Sequence, residues 1–142
     1  MICKGVEIDT AWHARYTKLP FVERGRTRLG VDCWGLVVMV YAGEFGVGLP
    51  LLTAGYEHVS DREDIERLAA GEKRGWLEVA PGHEKPFDVL LFRVMGAECH
   101  VGLVVRPGLK MLHIEKGKET VIERYNTPRW RPRLRSIWGW SE

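Results

Sequence analysis

Cys33 and His100 are the two side chains whose neighbours can turn an ordinary residue into a reagent. Cys33 stands in Gly30-Val31-Asp32-Cys33-Trp34-Gly35-Leu36-Val37, where a glycine, an acid, a thiol and a second glycine come directly before an apolar run. A cysteine attacks as its thiolate, and a free thiol titrates at about pH 8.5, so a useful nucleophile needs a helix N-terminus or an imidazolium to lower that value. Position gives Cys33 the helix start. Asp32 suits the N-cap, accepting backbone N–H groups, and its own charge would oppose thiolate formation if it faced the sulfur, so its expected role is structural. The amides of Cys33 and Trp34, at the same helix start, are the candidates to hold the oxyanion of a tetrahedral intermediate. Gly35 is expected to keep the approach uncrowded.

His100 opens the apolar stretch His100-Val101-Gly102-Leu103-Val104-Val105. Imidazole titrates near neutrality, which suits a general base. His113 is the expected third member, meeting the far ring nitrogen of His100 and so fixing its tautomer. Blander readings stay open, because most free cysteines are small buried hydrophobes and most strand histidines are merely hydrogen-bonded or at the surface. Zinc is a further alternative, since Cys33, Cys99, His100 and His113 are all acceptable ligands. The spacing does not favour it: no Cys-x-x-Cys or His-x-x-x-His pair is present, and adjacent residues such as Cys99 and His100 point to opposite faces of a strand. No metal or other cofactor is expected, and Cys99 is read as a core residue.

The elements that must position these groups can be read from periodicity. From Cys33 to about Phe45 the chain is proline-free, and Leu36, Val37, Val40, Tyr41 and Glu44 fall at helical intervals, predicting a largely buried helix. Ser60-Asp61-Arg62-Glu63 reads as a capping box opening a second, amphipathic helix over 60–70. The second half changes character, with short β-branched segments at 88–93, 100–105, 110–115 and 119–124 separated by Gly- or Pro-bearing turns. Helices followed by a run of strands predict an α+β fold in which N-terminal helices pack on an antiparallel sheet. Alternation puts His100, Gly102 and Val104 on one strand face, and Met111 and His113 on one face of the next. If those strands pair, the two histidines stand side by side.

At 142 residues the chain is expected to form one domain over 1–142, with a core large enough to need no metal or disulfide staple. Twenty-one basic against 19 acidic side chains leave a net charge of +2, too weak a field to point to nucleic acid. Three cysteines leave at least one thiol unpaired within the monomer. The first residues lack the basic start and apolar stretch of a signal peptide, and no apolar run approaches membrane-spanning length, so synthesis in the cytoplasm without a membrane association is expected. The segment 124–135 interleaves arginine with aromatic residues and is expected to form an edge strand with its arginines in water; an anion-gripping surface is the alternative.

With Asp32-Cys33-Trp34-Gly35-Leu36-Val37, then Phe87-Asp88-Val89-Leu90-Leu91-Phe92, then His100-Val101-Gly102-Leu103, then Met111-Leu112-His113 in order, the chain resembles the NlpC-type, papain-like cell-wall cysteine peptidases. The resemblance implies Cys33 as nucleophile, His100 as base and His113 as orienting residue. It implies hydrolysis of an amide in the peptidoglycan stem peptide, commonly the bond from γ-D-glutamyl to the diamino acid. The segment 19–27, Trp34 and the compact length look most like the phage branch, whose members sit in tails or gene-transfer particles. That likeness implies other tail proteins as partners and action in the periplasm or cell wall. Two positions depart from the family pattern: Phe21 stands where many relatives carry a tyrosine, and Phe87 replaces the glycine before the strand's aspartate. A catalytically retired assembly or binding module with the same fold is the alternative function.

Overall fold

The computed structural model describes residues 11–49, 75–94 and 97–140, with backbone alone for 97–99. A 3₁₀ turn, η1 (Trp12–Tyr16), is followed by a two-stranded hairpin, β1 (Arg26–Thr27) and β2 (Gly30–Val31), and then by helix α1 (Cys33–Phe45). Six further strands follow: β3 (Trp76–Val79), β4 (Val89–Val94), β5 (Ala97–Arg106), β6 (Lys110–His113), β7 (Val121–Arg124) and β8 (Leu134–Trp140), the last preceded by a 3₁₀ turn, η2 (Arg131–Arg133). These six form one sheet in the order β3-β8-β4-β5-β6-β7, with every pairing antiparallel. The expected α+β architecture is therefore present. Among the described residues α1 is the single α-helix; the amphipathic helix expected over 60–70 lies outside them.

The sheet has an apolar layer on each face. Val89, Leu91, Val101, Leu103 and Leu112 join α1 residues Leu36, Val37, Val40 and Tyr41 in the larger cluster. Their neighbours by alternation, Leu90, Phe92, Val104 and Met111, join Tyr125, Trp130 and Ile137 in the smaller one. A strand buried on both faces reads as a continuous apolar run, which is why 89–92 carries no polar residue. Helix α1 is apolar almost all round for a related reason: seven of its residues, from Trp34 to Tyr41, are buried. It stops at Gly46, whose φ of 65° forms the left-handed C-cap and whose N–H reaches the Ala42 carbonyl.

The C-terminal segment corrects an expectation. β8 is an interior strand, hydrogen-bonded on one side to β4 and on the other to β3. Its prolines do not disturb the ladder, because Pro128 and Pro132 fall before the strand, in the turn and in η2. The edge on that side is β3, a four-residue strand that the sequence reading did not mark, and the other edge is β7.

Candidate active site

The nucleophile candidate is placed by a carboxylate. Asp32 is extended (φ −102°, ψ −171°), and its Oδ1 accepts the Gly35 N–H at 2.8 Å, the N-cap bond that starts α1 at Cys33. The same carboxylate accepts the backbone N–H of Arg24 on Oδ2 and the Arg26 guanidinium on Oδ1, each at 2.8 Å. Both side chains of the Arg26–Asp32 pair are almost fully buried. Asp32 thus ties the 20–31 loop to the helix start through three hydrogen bonds. Gly35 serves this junction too: a Cβ there would overlap the Gly25 carbonyl, so its lack of a side chain admits the loop, where the sequence had suggested an open approach.

Cys33 is half-buried at the rim of the helix-side cluster, and its sulfur is not part of a disulfide. Trp34 is fully buried, with its indole tilted against Trp76, so its side chain serves the core. Gly35 and Leu36 have their amides on the Oδ1 and the carbonyl of Asp32, and the amides of Cys33 and Trp34 head the same turn.

The two histidines come together as the alternation requires. β5 pairs with β6 through Leu103 opposite Leu112 and Val104 opposite Met111. His100 Nε2 lies 2.9 Å from His113 Nδ1, with ring planes at 84°. Gly102 makes room for this meeting, since a Cβ there would press on the sulfur of Met111 and the Cβ of His113. Both rings are buried, His113 completely.

Two participants went unrecognised in the sequence. Glu123 places Oε1 2.7 Å from His113 Nε2, so the dyad continues to a carboxylate. Trp130 stacks its ring on His100, with centroids 5.4 Å apart and planes at 22°, and meets His113 edge-on at 5.2 Å. Its indole N–H donates to Glu123 Oε2 at 2.9 Å. Arg129 donates to the same oxygen at 3.2 Å and, through Nη2, to Glu115 Oε2 at 2.6 Å. The β6–β7 register sets Met111 opposite Glu123 and so puts the carboxylate diagonal to His113 on one face, a placement that needs the register as well as the sequence.

Burial pushes the His100 imidazole down to about 3, helped by the charges of His113 and Arg129. His113 is lowered too, again chiefly by burial, although its hydrogen bond to Glu123 works the other way. Partial burial alone would raise Glu123, but the hydrogen bonds from Trp130 and His113 outweigh it and hold the carboxyl below its usual range. At neutral pH the arrangement is a neutral imidazole pair resting on a carboxylate. His113, Glu115 and Glu123 bring potential metal-binding atoms within 4.8 Å of one another, but the guanidinium of Arg129 already bridges the two carboxylates. Of the zinc set considered from sequence, His100 and His113 meet, and the side chain of Cys99 lies outside the described residues.

Comparison with known families matches residues 18–139 to the NlpC/P60 family. The chain belongs to the NlpC/P60 family. It is 25% identical over 109 residues to the murein DD-endopeptidase MepS/murein LD-carboxypeptidase of Escherichia coli K12, covering 77% of this chain and 49% of that protein. The chain thus spans about half the length of that relative. Among solved structures, an NlpC/P60 family protein from Bacillus cereus superposes with a TM-score of 0.67 at 19% identity, over 91% of this chain and 38% of the other. The NlpC/P60 domain of the peptidoglycan hydrolase SagA superposes with a TM-score of 0.64 at 18% identity, over 93% and 99%. These likenesses establish an NlpC/P60 fold.

Proposed function

We propose that this NlpC/P60 chain is a cysteine peptidase that cuts an amide bond in peptidoglycan stem peptides, the γ-D-glutamyl-to-diamino-acid bond being the favoured target. The observation that carries the reading is the buried 2.9 Å contact between His100 Nε2 and His113 Nδ1, which leaves Nδ1 of His100 as the nitrogen available to a thiol. The thiol in question is Cys33, and α1 packs on β5, the two elements that must bring them together. The activities of the E. coli relative and of SagA, a murein endopeptidase and a peptidoglycan hydrolase, support the substrate class.

In this mechanism His100 Nδ1 accepts the Cys33 proton as the sulfur attacks the carbonyl carbon. The oxyanion is met by the amides of Cys33 and Trp34, assisted by the partial positive charge of the helix start. Phe21 has no hydroxyl to offer, so those amides carry more of that stabilisation. The protonated His100 gives its proton to the departing amine, leaving a thioester. Water then loses a proton to His100, attacks the thioester and releases the carboxylic acid and the thiol.

The placement in a phage tail or gene-transfer particle is the finer part of the proposal. It is supported by the likeness of segment 19–27 and Trp34 to that branch, and it implies neighbouring tail proteins as partners.

The test is incubation of the protein and its Cys33→Ser variant with muropeptides, followed by mass spectrometry. Cleavage by the native protein that disappears in the folded variant is expected, and the product masses name the bond. Equal cleavage by both would sink the reading. A folded native protein that cuts nothing would favour the retired-module alternative.

A further inference from the structure

We infer that Glu123 is a positioning residue whose carboxylate fixes the tautomers of His113 and, through it, of His100, so that Nδ1 of His100 is the proton acceptor. The inference rests on the reading of His100 as the base.

A neutral imidazole has one N–H and one lone pair, and which nitrogen carries the proton is set by the hydrogen bond made at the other. A carboxylate only accepts. The 2.7 Å contact with Glu123 therefore requires the proton of His113 to be on Nε2, which leaves a lone pair on Nδ1. The 2.9 Å contact between the rings then requires the proton of His100 to be on Nε2. Its Nδ1 is left with the lone pair. Without the carboxylate, the opposite arrangement satisfies the two rings equally well and puts an N–H on the nitrogen that has to take the thiol proton. The dyad alone has no preferred direction.

The carboxylate is held for this task by two neighbouring donors. Trp130 and Arg129, from the segment before β8, both donate to Oε2, which turns Oε1 toward His113. The other charged group facing the network, Glu115, is occupied by Arg129 Nη2. Trp130 links the two ends, since the indole anchored on Glu123 is the one stacked on His100.

A sharp consequence follows for Glu123→Gln. The amide oxygen is needed by two donors, Trp130 and Arg129, so the amide N–H₂ faces His113 and donates to its Nε2. The relay inverts: His113 then carries its proton on Nδ1, His100 Nε2 becomes the acceptor, and His100 Nδ1 carries the proton.

The experiment is two-bond ¹H–¹⁵N correlation spectroscopy of histidine side chains in the native protein, Glu123→Gln and Glu123→Ala, alongside kcat and KM on muropeptides. Expected are Nε2–H forms for both rings in the native protein, inverted forms in Glu123→Gln and no fixed form in Glu123→Ala. Kcat should fall on the order of 10- to 100-fold with KM little changed. An Nδ1–H form of His113 in the native protein overturns the inference, as does an inverted relay with undiminished kcat. The native spectrum needs no variant to fold. If the native protein shows the expected tautomers but cuts no muropeptide, the substrate reading fails while the relay stands.

Discussion

The indole of Trp130 lies nearly parallel to the imidazole of His100, with 22° between planes and 5.4 Å between centroids. A residue from the C-terminal segment thereby closes over a histidine carried on β5 and keeps water from it. Burial is the largest cause of the lowered His100 pKa, and Trp130, itself buried, is part of that burial. Trp130→Ala should therefore raise the His100 pKa from about 3 toward the ordinary imidazole value, readable by NMR titration of the ring. It should also cost about 3–5 kcal/mol of stability, the usual range for truncating a buried aromatic residue. An unchanged pKa would mean that other neighbours exclude the water.

Acid stability should depend on the same pair. The folded-state pKa of His100 is about 3, against an ordinary value of 6.5, so between those values the unfolded chain binds more protons than the native one. The stability due to a neutral His100 is then complete above pH 6.5 and is lost progressively as pH falls toward 3. His113, lowered in the same direction, adds to the effect. Urea titrations at successive pH values should show this decline, and His100→Gln should flatten it. A variant with the native slope would show that other groups govern acid unfolding.

What could be read in the sequence follows from how local each signal is. The helix from Cys33 is legible because its cap, Asp32, and its stop, Gly46, act within one turn of its ends. The meeting of His100 and His113 is legible because period-two alternation and a tight connection at residues 107–109 limit how β5 and β6 can pair. Glu123 is not, since recognising it needs the β6–β7 register as well, and a one-residue slip would turn it to the other face. The interior place of β8 was hidden for a different reason: its partners β3 and β4 are distant in the chain, and nothing in Leu134–Trp140 alone tells an interior strand from an edge.

The helix start should prove a stability hot spot. Asp32→Ala removes the acceptor for Gly35, Arg24 and Arg26 together and leaves the Arg26 guanidinium buried without its carboxylate. Loss of one partner of a buried ion pair typically costs about 3–5 kcal/mol, and the cap bond is included in what is lost here. Asp32→Asn, which keeps an acceptor for the helix amide, should cost less. Chemical denaturation of the two variants checks the order; equal losses would show that the helix-cap acceptor contributes nothing and that the charge on Asp32 carries the whole effect.

Phe87 offers the sharpest balance of opposing effects. Its φ of 78° is in the left-handed region, where a non-glycine residue carries strain of order 1–3 kcal/mol. The family pattern has glycine at this position, which is the residue that such a φ favours. What holds a phenylalanine there is packing: its ring stacks on Trp12 with centroids 4.1 Å apart and takes Phe45 edge-on at 4.6 Å. The backbone is fixed as well, with its carbonyl accepting the Tyr41 hydroxyl at 2.6 Å and its N–H bonded to the Val104 carbonyl. Truncating a buried phenylalanine to alanine costs about 3–5 kcal/mol, more than the strain it tolerates, so both Phe87→Ala and Phe87→Gly should destabilise. Alanine keeps the strained φ and loses the stacking, whereas glycine loses the stacking but relieves the strain. Phe87→Gly should therefore be the more stable variant by about 1 kcal/mol, the reverse of the usual preference for alanine over glycine. Melting temperatures of the pair decide it, and an alanine variant as stable as the glycine one would show that the backbone at 87 carries no strain.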